Sequence, residues 1–131
     1  MKSTILKTST ALSAVMAVFL TSLPATDANA ANIRVKCEKR ADRSKVSVDG
    51  NNMVSGNYIA KIVSGDNVKE SEAKATVGDE IEFDFDSSTK DVTTGATRIS
   101  RSFIQGGRVT GQLINEQGFT VAQTTSTCSV K

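Results

Sequence analysis

Residues 80–86, Glu-Ile-Glu-Phe-Asp-Phe-Asp, alternate acidic and apolar side chains without a break. Successive side chains on a β-strand point to opposite faces, so Ile81, Phe83 and Phe85 share one face and Glu80, Glu82, Asp84 and Asp86 the other. A helix would scatter the same residues around its circumference. One face of this strand must be buried while its reverse meets water, cations or a partner. That commits the chain to a sheet with a core side and a solvated side.

The first thirty residues follow different rules. Lys2 and Lys7 precede an apolar run over residues 11–23 that is interrupted only by Ser13, Thr21 and Ser22, and Ala28-Asn29-Ala30 supplies a small-x-small cleavage signal. This is the pattern of a secretory signal peptide over 1–30, cleaved after Ala30. The run is shorter than the roughly 20 residues a bilayer span needs, so no stable membrane anchor is expected. The expected location is periplasmic or extracellular, and residues 31–131 are expected to form a single domain.

A domain of that size gains from a covalent staple. Cys37 and Cys128 are the only cysteines and lie near the two ends of the exported chain. In an oxidising compartment they are expected to pair, which would stabilise the fold by about 4 to 5 kcal/mol in the loop-entropy model. Such a bond would also lay the first and last strands side by side.

Without Lys2, Lys7 and Asp27 the chain holds 14 basic and 13 acidic residues, a net charge of +1. That balance argues against nucleic acid or an anionic membrane as partner. The charges are segregated all the same. Residues 34–45 hold Arg34, Lys36, Lys39, Arg40, Arg43 and Lys45 against Glu38 and Asp42, whereas residues 66–91 hold nine acidic residues against Lys69, Lys74 and Lys90.

Short alternating runs recur along the domain: Ile33, Val35 and Cys37; Val46 and Val48; Tyr58, Ala60 and Ile62; Val109, Gly111 and Leu113. Turn signals separate them at Asp49-Gly50-Asn51-Asn52, Gly65-Asp66-Asn67, Gly78-Asp79, Gly106-Gly107 and Glu116-Gln117-Gly118. Residues 68–77 are rich in Lys and Glu and suit an edge strand. Residues 87–95 form the longest polar connection, expected to cross between sheets. Residues 98–104 have weaker strand character, and residues 119–131 read as a long last strand with a break near Gln123 or Thr124 that would bury both Val121 and Cys128. Helical periodicity is absent. Seven to nine such strands predict an all-β fold, a small antiparallel β-sandwich of immunoglobulin-like type, with a small barrel as the alternative. Residues 53–68 also match residues 104–119 at an offset of 51, as two Gly-led strands each followed by a turn and a returning strand. This is the pattern of a pseudo-twofold pair of hairpins, or of ordinary hairpin grammar repeated.

Three uses of the acidic face compete. It can be solvated, its repulsion offset by a neighbouring basic strand bearing Arg34 and Lys36. It can serve as an acidic docking face of Glu80, Glu82, Asp84 and Asp86 for a basic partner or a second copy. Its end can hold calcium, with Asp84, Asp86, Ser88 and Asp91 as oxygen ligands. Arg98, Arg101 and Arg108 surround Phe103 and could bind an anionic glycan, although Phe103, like Phe83, Phe85, Phe119 and Tyr58, sits in a buried phase. Residues 31–131 contain no His, which removes the usual general base, and offer no set of soft metal ligands. Thr93-Thr94-Gly95 resembles the Thr-Thr-Gly loop of chagasin-like cysteine protease inhibitors, which share an immunoglobulin-type fold. The Asn-Pro before that loop and the aromatic after it are missing here, so no inhibitory role is carried over.

These features predict an exported, non-enzymatic module without a cofactor, structural or protein-binding in role. It would act on a protein partner or on itself through sheet edges or charged faces. The alternative is a calcium- or anionic-glycan-binding module.

Overall fold

The computed structural model describes residues 31–131; the expected signal peptide, 1–30, lies outside them. In chain order the elements are β1 (Asn32–Arg40), β2 (Arg43–Asn51), β3 (Asn57–Ser64), β4 (Asn67–Glu70), β5 (Lys74–Ala75), β6 (Ile81–Asp86), α1 (Thr89–Thr93), β7 (Thr97–Arg98), β8 (Arg108–Asn115), β9 (Thr120–Thr127) and β10 (Ser129–Val130). They form two sheets. Sheet A runs β10-β1-β2-β6-β7, and sheet B runs β4-β3-β8-β9 with β5 also paired to β3.

Alternation decides which face of each strand turns inward. Sheet A contributes Val35, Cys37, Val46, Val48, Ile81, Phe83 and Phe85, and sheet B contributes Tyr58, Ala60, Ile62, Val109 and Leu113, to one buried cluster between them. The register β2 to β6 places Val46 opposite Phe85 and Val48 opposite Phe83, so the organising strand lies beside the central strand β2 of sheet A. Two inward glycines bring the sheets unusually close. A Cβ at Gly111 would lie 2.5 Å from Val35 Cγ2, and one at Gly50 would lie 2.6 Å from Leu113 Cδ1. Glycine is needed at these two positions for close approach of the sheets rather than for its backbone freedom.

The disulfide forms as expected. Cys37 and Cys128 are bonded across 91 residues of chain with their Cα atoms 4.6 Å apart. The last strand leaves sheet B after Thr127, passes through the buried Cys128, and joins sheet A beside β1, pairing Ser129 with Glu38 in parallel. First and last strands therefore do lie side by side.

Several expectations are corrected. There are ten strands, three of them only two residues long, and sheet A is mixed because β10–β1 and β6–β7 are parallel pairs. Residues 87–95 do not cross between sheets. They contain α1 and return the chain to sheet A, because parallel neighbours need a connection that doubles back rather than a hairpin. The chain irregularity of the last strand lies at Val121, opposite the Leu113/Ile114 step, not at Gln123 or Thr124. Phe119 is 67% exposed rather than buried, since it belongs to the β8–β9 turn and precedes the strand.

The offset of 51 has a structural counterpart. β3 and β8 are antiparallel neighbours in which Lys61 pairs with Gln112, the residue 51 positions on. The order β4-β3-β8-β9 sets the β3–β4 hairpin and the β8–β9 hairpin on either side of that pair.

Two stability outcomes follow from this packing. Gly111→Ala should cost about 1–3 kcal/mol in urea unfolding, because the new methyl must displace Val35. Replacing both cysteines by Ala should cost about 4 kcal/mol on the loop-entropy scale, measured against the oxidised parent.

Candidate functional site

The outer face of sheet A shows what becomes of the acidic ladder. β2 separates β6 from β1, so Glu82 faces Asp49, Asp84 faces Ser47 and Asp86 faces Lys45. Arg34 and Lys36 lie one strand further away, opposite Asp49 and Ser47. Two strand spacings are about 10 Å, close to one Debye length in physiological salt, so the basic strand offsets the acidic one only at long range. Glu82 and Asp84 are exposed and take part in no ion pair among the described residues. Glu80 precedes β6 and belongs to a bridged turn with Val77.

Asp86 lies on this face too but is covered. It is 2% exposed, and its carboxylate is gripped by Arg43, with Nε donating to Oδ1 at 2.9 Å and Nη2 to Oδ2 at 2.7 Å. The Ser88 N–H donates to Oδ1 at 2.9 Å, and Nη2 of Arg43 also reaches Asp91 Oδ2 on α1. Burial pushes the Asp86 carboxyl up, but the Arg43 hydrogen bonds, the Ser88 N–H and the charges of Arg43 and Lys45 outweigh it and hold the group below its ordinary value. Asp86 reciprocally raises Arg43 above the ordinary guanidinium range. The four expected calcium ligands therefore do not form one site. Arg43 stands between Asp86 and Asp91, Ser88 contributes its amide, and Asp84 faces Ser47. Among the described residues no three His, Cys, Asp or Glu side chains are grouped to hold a metal ion.

Strand directions sort the remaining polar and apolar groups to two ends. At one end the loops 52–56, 76–80 and 116–119 come together. The Met53 N–H donates to the Asp79 carbonyl at 2.9 Å, Thr76 N–H to Gly56 carbonyl at 3.0 Å, and Asn57 Nδ2 to Glu116 Oε2 at 3.5 Å. These loops hold Val54, Val77 and Phe119 at 78%, 83% and 67% exposure, beside Asp79, Glu80 and Glu116, and the flanking strands add Arg34 and Lys74 in a cleft shared with Val77 and Glu80. Asn115 Oδ1 accepts from the N–H groups of Gln117 and Phe119, which fixes the turn that carries Phe119.

The other end has the opposite sign. Its turns and flanking strand residues carry Arg40, Arg43, Lys90, Arg98, Arg101, Arg108 and Lys131 against Glu38, Asp42, Asp66, Asp86 and Asp91, with Glu38 paired to Arg40 and Lys131. A cleft there is lined by Asn67, Val68 and Lys69 on one side and Arg98, Arg101 and Phe103 on the other. Val68 is 54% exposed, whereas Phe103 is buried. The cleft walls are fastened by backbone acceptors. Asn67 Nδ2 donates to the Phe103 carbonyl at 2.8 Å, and Lys39 Nζ and Ser44 Oγ donate to the Arg101 carbonyl at 2.8 and 2.7 Å. Of the three arginines expected around Phe103, Arg98 and Arg101 flank this cleft, while Arg108 opens β8 opposite Thr127.

Sequence reasoning missed Arg43 as the partner of Asp86, and missed Val54 and Val77 as exposed groups. The only linear clue to the first was an acidic residue ending a strand before the polar Ser87-Ser88-Thr89 run. Among the described residues no buried side-chain N or O lacks a hydrogen-bond partner, so the interior polar groups serve the fold. No family model matches the chain, and no curated protein is significantly similar to it.

Arg43→Ala strands a buried carboxylate and should cost about 3–5 kcal/mol at neutral pH, whereas Asp91→Ala, on the half-exposed arm, should cost under about 1 kcal/mol. Because the folded Asp86 carboxyl lies below its unfolded value, its contribution is full above about pH 4 and is lost as pH falls through the folded value. The deficit of Arg43→Ala against the parent should therefore shrink on going from pH 7 to pH 3 in urea titrations.

Proposed function

We propose that this protein is an exported, immunoglobulin-like, non-enzymatic module that works by binding a protein through its loop-bearing ends. The observation that carries this reading is the acidic end. There three large apolar side chains are held outward on mutually hydrogen-bonded loops that carry acidic groups, with Lys74 and Arg34 the cations in the adjoining cleft beside Val77 and Glu80. Scattered exposed valines need no explanation, but apolar residues gathered on adjoining, braced loops have the composition of a binding patch. Pre-ordered loops also lose little conformational entropy on docking.

The strand order supports the fold-level part of the reading. β1-β2-β6 facing β4-β3-β8-β9 follows the A-B-E over C′-C-F-G arrangement of immunoglobulin-type sandwiches, whose end loops are common recognition surfaces. The disulfide suits an oxidising compartment, in keeping with export.

The combined substitution Val54→Ser, Val77→Ser and Phe119→Ser tests this. All three side chains are exposed, so stability should change by no more than about 0.5 kcal/mol per site. Chemical crosslinking in the producing cells should give protein adducts with the parent chain that the variant fails to form. Retention of every parental adduct by the variant, or no adduct with either chain, would end the reading.

A further inference from the structure

The two ends of the molecule differ in the sign of their charge, and we propose that the partner is a second copy of this chain, docked head to tail. This deepens the protein-binding reading above and rests on it. The projecting element is the β8–β9 turn, with Phe119 at 67% exposure and Glu116 three residues before it. The receiving element is the cleft at the opposite end, where Val68 is 54% exposed and Lys69, Arg98 and Arg101 outnumber the one acid of the lining, Asp42. An aromatic side chain set beside carboxylates finds there apolar surface bordered by opposite charge.

Both elements are held in position before contact. Asn115 ties the turn through the N–H groups of Gln117 and Phe119 at 3.0 and 2.9 Å. Asn67, Lys39 and Ser44 pin the backbone of the cleft at the carbonyls of Phe103 and Arg101. Docking therefore requires little reordering of either surface.

Because knob and cleft lie at opposite ends of one molecule, each copy that docks leaves a free end. The contact is heterologous and continues into linear oligomers instead of closing as a symmetric dimer. A competing route runs through β9, the longest edge strand of sheet B, which carries no charge from Thr120 to Thr127. Its edge is partly blunted, since the irregularity at Val121 interrupts pairing and Ser126 Oγ is committed to the Val35 carbonyl at 2.7 Å. The end-to-end route is favoured because it alone matches opposite charges.

Sedimentation velocity on the purified oxidised protein tests the proposal, run up to about 0.5 mM at low ionic strength, where the Debye length is about 30 Å. The parent should shift from monomer to dimers and longer species with concentration, and lose them in molar salt. Asp79→Lys with Glu116→Lys makes both ends basic, and Arg98→Glu with Arg101→Glu makes both acidic. Each double variant alone should stay monomeric, and an equimolar mixture should recover association. Thr125→Lys on β9 should leave association unchanged. A parent that stays monomeric throughout, a mixture that fails to associate, or loss of association in Thr125→Lys would each overturn head-to-tail docking. A monomeric parent that still forms crosslinked adducts in cells would leave the protein-binding reading standing and remove only the second copy as its partner.

Discussion

A carboxylate at 2% exposure stays ionised only where its charge is compensated, and the pairing of Asp86 with Arg43, aided by the Ser88 N–H, is the condition on which one end of this molecule depends. The fork joins β2 to the end of β6, and its second arm reaches Asp91 on α1. The Asp86 backbone also takes part, its carbonyl accepting the Ile99 N–H at 3.1 Å just after β7. One ion pair thus holds the central strand β2, its neighbour β6, the helical turn and the short parallel strand together. The same arrangement positions the segment from which Arg98 and Arg101 border the cleft. Charge at this end is partly structural and partly offered to solvent, and only the second part is free for recognition.

The rest of the fold is governed by close contact between the sheets. Gly50 and Gly111 remove the side chains that would hold the layers apart, and Cys37–Cys128 closes the side where the last strand changes sheets. Among the described residues every buried side-chain N and O is hydrogen-bonded and Asp86 is the only buried charged residue, so the remaining charge lies on the surface. That surface is polarised along the strands because antiparallel neighbours return their loops to the same two ends. Acidic, apolar-tipped loops gather at one and basic turns at the other.

Much of this was legible residue by residue. The alternation of 80–86 identified a core strand, and Ile81, Phe83 and Phe85 are indeed buried. The cysteine count and spacing identified the bond that joins first and last strands. Polar residues 68–77 became the edge strands β4 and β5. The errors share one cause: period-two patterning tells which face a residue takes, not which strand lies beside it. Asp86 continued the acidic face by pattern, yet a residue 43 positions away, together with α1, covered it. Phe119 continued the phase of the strand that follows it, but the turn set it outside.

The sequence by itself determined the all-β class, the phase of the main strands and the pairing of two cysteines, because side-chain alternation and cysteine count are local or combinatorial properties. Only the tertiary structure decided strand order, the burial of Asp86 against Arg43, and the collection of Val54, Val77, Phe119 and three carboxylates at one end. Those depend on which distant segments become neighbours. That is settled by the summed packing of two sheets, not by any single stretch of chain.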